Sequence, residues 1–115
     1  MRGARLTMLS AMGLAYASLS IAAGDPGRGA MVFNGTCIAC HGSDGFGSLP
    51  GVPDLTGRTG LLSQDDAVLL KRMTEGFQSP GSPMAMPPRG GDPALTDADL
   101  KAVLRYMRKE FKNAP

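Results

Sequence analysis

Cys37-Ile38-Ala39-Cys40-His41 holds both cysteines and the only histidine of a 115-residue chain, and its reading decides the fold. Two thiols and an imidazole within five residues form the pattern that attaches a c-type haem. In that chemistry each sulfur bonds a former vinyl group of the porphyrin, and the histidine that follows coordinates the iron. A zinc site would need four ligands, usually as two pairs, and the chain has no second pair. A thioredoxin-like dithiol belongs in a βαβ setting, and nothing around residue 40 reads as a parallel sheet. A structural disulfide across two residues would be strained and would leave His41 without a role. Cys37, Cys40 and His41 are therefore assigned to one covalently attached haem c.

Upstream, Gly29 and Phe33 lie four apart and so share a face of the helix expected to open at Asp25-Pro26. Gly29 would let another helix cross closely, with Phe33 packed beside it. Helical geometry is expected to run on through the haem motif, so that Cys37 and Cys40 project to one side. Still further upstream, residues 1–23 have the parts of an export signal. Arg2 and Arg5 precede a largely apolar, uncharged run from Leu6 to Ile21, and Ala22 and Ala23 offer small residues for cleavage. Thr7, Ser10, Gly13, Ser18 and Ser20 dilute that run, which argues against a retained anchor helix. Residues 24–115 then form one domain with no membrane span. Export suits the cofactor, because bacterial haem attachment to cysteine takes place outside the cytoplasm; the expected location is the periplasm.

Downstream, seven glycines and prolines between Gly42 and Gly57 forbid a regular element. Within this loop the Pro53 carbonyl is the candidate acceptor for the second ring nitrogen of His41, since ligating histidines usually pass that N–H to an oxygen. Ser63 to Asp66 reads as a capping box with Asp in place of Glu, starting a helix that ends at Glu75 before Gly76. Ala67, Leu70 and Met73, widened by Leu69, are its expected apolar face. Residues 77–93 are again irregular, yet they contain Met84 and Met86 where no apolar stripe calls for them. This loop is the natural source of the second iron ligand. Met86 is favoured over Met84 because Pro87 and Pro88 would stiffen the backbone beside it. A second capping box at Thr96 to Asp99 opens a helix to about Lys112, with Leu100, Val103, Leu104, Met107 and Phe111 on one face and Tyr106 at its flank.

The 12 basic and 10 acidic residues become 10 and 10 once Arg2 and Arg5 are set aside, so nucleic acid is not the expected partner. With no Trp, four Phe, two Tyr, 16 Gly and 9 Pro, a domain of this size needs a staple. A porphyrin sewn to the chain would be one.

Taken together, Cys-x-x-Cys-His and Met86-Pro87-Pro88-Arg89-Gly90-Gly91 with Leu95-Thr96-Asp97 resemble a monohaem class I c-type cytochrome, similar to the small bacterial cytochrome c5 group. The resemblance runs from Gly29 to Phe111 and departs from that group in having no extra cysteine pair near the final helix. It implies an all-α cytochrome c fold of three to five short helices around the haem, the first and last crossing near Gly29, Phe33 and Tyr106. It also implies iron held between His41 and Met86, with Pro53 accepting from His41; Arg58 and Arg89 are the candidate propionate partners. The function implied is that of a one-electron carrier, not an enzyme, meeting redox proteins transiently. A haem-bearing subunit of a larger dehydrogenase or oxidase complex is the alternative.

Overall fold

The computed structural model describes Gly13, Ala15 and residues 26–114. Most of the expected export signal, and the Asp25 cap, lie outside the described residues. Among those described, α1 (Pro26–Val32) leads into a π-helical turn (Phe33–Cys37) and then α2 (Ile38–His41). A 3₁₀ turn (Leu61–Ser63) precedes α3 (Asp66–Glu75), and a tight turn (Pro88–Gly91) with Arg89 and Gly90 in the left-handed region precedes α4 (Asp97–Phe111). No strand forms among the described residues, and the architecture is the all-α one the sequence implies.

The first and last helices make the central crossing. A Cβ on Gly29 would stand 2.4 Å from the Ala102 carbonyl oxygen and 2.7 Å from Tyr106 Cβ, so only glycine permits this approach. Phe33 is 1% exposed, its ring 5.5 Å from that of Tyr106 and 5.2 Å from that of Phe111. Offset and tilted ring pairs of this kind add about 0.5–1.5 kcal/mol beyond the area they bury. An ion pair closes the crossing: Arg28 Nε donates to Asp99 at 2.7 Å. Asp99 is the buried member of the capping box predicted for α4. Its backbone N–H donates to Thr96 Oγ1 at 3.1 Å, while its carboxylate accepts from the Thr96 N–H at 2.9 Å.

The start of α3 departs from expectation. Asp65, not Ser63, is the N-cap, and no side chain caps it; Ser63 ends the 3₁₀ turn and donates to the Gly60 carbonyl. Arg108 of α4 does the tying instead. Its Nε donates to the Leu62 carbonyl at 3.0 Å, Nη2 to the Gln64 carbonyl at 2.8 Å, and Nη1 to Asp66. With this clamp in place a local cap is dispensable. The buried face of α3 is also shifted: Leu69 and Met73 are buried and Leu70 packs against them, but Ala67 is exposed. Gly76 stops the helix at φ 83°.

Candidate functional site

The π-helical turn delivers Cys37 and α2 delivers Cys40 and His41 to one side, where two adjoining clefts of about 730 and 700 Å³ open. Cys37, His41, Pro53, Phe77, Ser79 and Met86 line both, so the clefts are two halves of one slot that meet at the residues expected to hold the iron. Cys40 lines the first, and so does Met84, which is 37% exposed at its rim. The inner half is walled by core side chains, among them Leu69, Met73, Leu104 and Met107.

The slot is apolar, and its titratable groups respond to that. Burial pushes the His41 ring below its ordinary value, which favours the neutral imidazole able to ligate a metal. Burial, then the neighbouring Cys40, pushes the Cys37 thiol up to about 11. His41 Nδ1 is buried without a hydrogen-bond partner, so the bond expected to the Pro53 carbonyl is not made in this structure, although Pro53 walls the same slot. A largely buried imidazole inside an apolar slot beside two half-buried thiols is a donor set that fits haem c.

Met86 is held in a way the sequence did not announce. Its N–H donates to the Phe77 carbonyl at 2.8 Å and its carbonyl accepts from the Phe77 N–H at 3.0 Å. This antiparallel bridge pins both backbone polar groups of Met86 to the residue that follows the α3 stop, adding to the stiffness of Pro87-Pro88. Met84 lacks such a tie to α3; its backbone is met by the Ser82 hydroxyl. That hydroxyl also reaches the Gly51 carbonyl at 3.2 Å and so joins the two loops that rim the slot.

The candidate propionate partners are not where the sequence put them. Arg89 is spent on the Leu95 carbonyl and on Asp97, each at 2.7 Å, and neither it nor Arg58 is among the residues lining the slot. Arg72 is: it lines the inner half with its guanidinium 4.1 Å above the centroid of the Phe77 ring. Its position one residue before Met73 on α3 carried a signal, since a residue beside a buried helix position flanks whatever that position faces.

A covalent haem site on a helical fold without strands defines a c-type cytochrome. The chain belongs to the family described as cytochrome c oxidase, cbb3-type, subunit III, which matches residues 24–107. It is 33% identical over 76 residues to cytochrome c-554(548) of Halomonas halodenitrificans, covering 66% of this chain and 86% of that one. Cytochrome c-555 of Prosthecochloris aestuarii is 28% identical over 88 residues, covering 75% and 88%. The cbb3-type oxidase subunit CcoP of Cereibacter sphaeroides is 36% identical over 81 residues, covering 70% of this chain but 26% of that subunit. The chain thus spans most of two small cytochromes and about a quarter of the oxidase subunit.

Proposed function

We propose that this chain is a periplasmic one-electron carrier whose haem iron lies between His41 and Met86, with the porphyrin bonded to Cys37 and Cys40. The observation that carries the reading is the meeting of the two clefts at His41 and Met86. Haem c bound there would supply a one-electron iron couple, whose potential a thioether ligand would raise. The chain's own residues do the rest. His41 and Met86 would hold the iron between them and would leave no open site for a substrate, so the protein would pass electrons between other proteins. The Phe77–Met86 bridge fixes the Met86 backbone, which would limit movement of its sulfur between oxidation states and keep reorganisation small. With haem bound, Pro53 would offer its carbonyl to the second ring nitrogen of His41, and Arg72, which lines the slot, would be the guanidinium available to a propionate. Residues 1–23 act as the export signal and are removed; no helix among the described residues is long and apolar enough to cross a membrane.

The match to a cbb3-type oxidase subunit favours a second reading, in which the chain serves as the haem-bearing part of a larger complex. Co-purification in high salt separates the two, because transient charged contacts are screened there. The test of the ligand set is a visible and near-infrared spectrum of the purified holoprotein in both oxidation states. Low-spin iron is expected in each. Met86→Ala should turn it high-spin and lower the potential, while Met84→Ala leaves it unchanged; the reverse pattern, or a high-spin parent, overturns the assignment.

A further inference from the structure

The π-helical turn between α1 and α2 stands at a junction where two helix faces must point at different things. Phe33 is sealed against Tyr106 and Phe111 of α4. Cys37, Cys40 and His41, a few residues on, line the slot. In an uninterrupted α-helix the residues at 33, 37 and 40 would fall within roughly 60° of one another, on a single face. The chain avoids this by closing the Ile38 N–H onto the Phe33 carbonyl, five residues back instead of four. Such a turn holds one residue more than an α-turn and shifts the phase of everything after it by roughly 100°. The turn's Gly35 is exposed, and a Cβ added there would find open space, with no other side chain or distant backbone within 4 Å. Thr36, in contrast, sits under the loop that follows Met86, where its Cγ2 would be 2.8 Å from a Cβ on Gly90.

We propose that the surplus residue of the Phe33–Cys37 turn sets the rotational phase between the helix face that seats on α4 and the face that presents Cys37, Cys40 and His41 to Met86. It is a positioning device, and what matters is the number of residues in the turn, not the flexibility of its glycine. The spectroscopic readout rests on the His41–Met86 reading above.

The test is deletion of Gly35, compared with Gly35→Ala and Asn34→Ala, all as holoproteins. The deletion leaves Cys37-Ile38-Ala39-Cys40-His41 intact, so covalent haem is retained on a denaturing gel, but it turns His41 away from Met86 and the low-spin spectrum is lost. The two alanine variants keep the residue count, so they keep the parent spectrum and potential. A deletion variant with the parent spectrum overturns the proposal, and so does an alanine variant that loses it. Should the deletion variant fail to fold, the alanine pair decides alone. A parent that is itself high-spin counts against the ligand reading only; the phase is then read from the reduction potential, which the deletion must shift and the alanine substitutions must not.

Discussion

Gly29→Ala is the sharpest probe of the crossing on which the fold depends. The added methyl carbon would lie 2.4 Å from a carbonyl oxygen and 2.7 Å from Tyr106 Cβ, while ordinary contact begins at 3.4 Å. Neither obstacle is the free end of a side chain, so α1 and α4 must part by about 1 Å, the difference between 3.4 and 2.4 Å. A gap of ~0.5–1 Å forfeits a quarter to a half of the dispersion attraction at each contact it opens. The contacts opened here include Phe33 on Tyr106 and Phe111. Overpacking costs about 1–3 kcal/mol, and this site belongs at or beyond the upper end because backbone cannot rotate away. Alanine returns about 1 kcal/mol of helix propensity. The net loss of about 2 kcal/mol corresponds to roughly 8–16 °C in a domain of this size. Thermal unfolding of the holoprotein by far-ultraviolet circular dichroism measures it, with Gly35→Ala as the control at an open position. A Gly29→Ala protein melting within about 2 °C of its parent would refute the close-crossing argument.

Arg108→Ala should destabilise by roughly 1–2 kcal/mol, since two carbonyls lose a charged donor while the exposed Asp66 pair adds little. Urea titration checks this, and an unchanged midpoint would dismiss the clamp. Asp99 is held below its ordinary 3.8 by the Arg28 hydrogen bond first and the Thr96 N–H next. Its contribution is therefore complete above 3.8 and fades as the pH falls further, so the stability gap between the parent and Asp99→Asn should narrow from pH 7 to about pH 3. A gap that stays constant over that range would show that the pair does not drive acid sensitivity. Arg72→Gln should lower the reduction potential, because a positive charge at the slot disfavours oxidised iron. Arg72→Lys should recover most of the shift, and voltammetry showing no change in either variant would remove Arg72 from the cofactor's surroundings.

What could be read from the chain was local. Cys37 to His41 carries its chemistry in five consecutive residues, and the Thr96–Asp99 box is satisfied within one helical turn. The Gly29–Phe33 face was legible because helical spacing alone put a small and a large residue together. The parts that escaped notice depend on partners far along the chain. Arg108 reaches back more than forty residues to hold the start of α3, which is why the Ser63 box looked sound and was not used. Arg89 seemed well placed beside Met86, but only the fold brings Leu95 and Asp97 to take its guanidinium. Phe77 looked like the first residue of an unstructured stretch; pairing with Met86 makes it the anchor of that residue's backbone. The π-turn escaped because α and π geometry ask for the same residue types and differ only in which carbonyl the Ile38 amide selects.

That Phe77–Met86 pairing has an evolutionary consequence. It ties off residues 78–85 at both ends like the neck of a bag, with Gln78, Pro80, Gly81 and Pro83 turned outward. Insertions or exchanges at those four tips can reshape the outer surface of the loop while the Phe77–Met86 pairing stays as it was. On the ligand reading proposed above, that outer surface and the iron's surroundings would then drift independently in descendants of this chain.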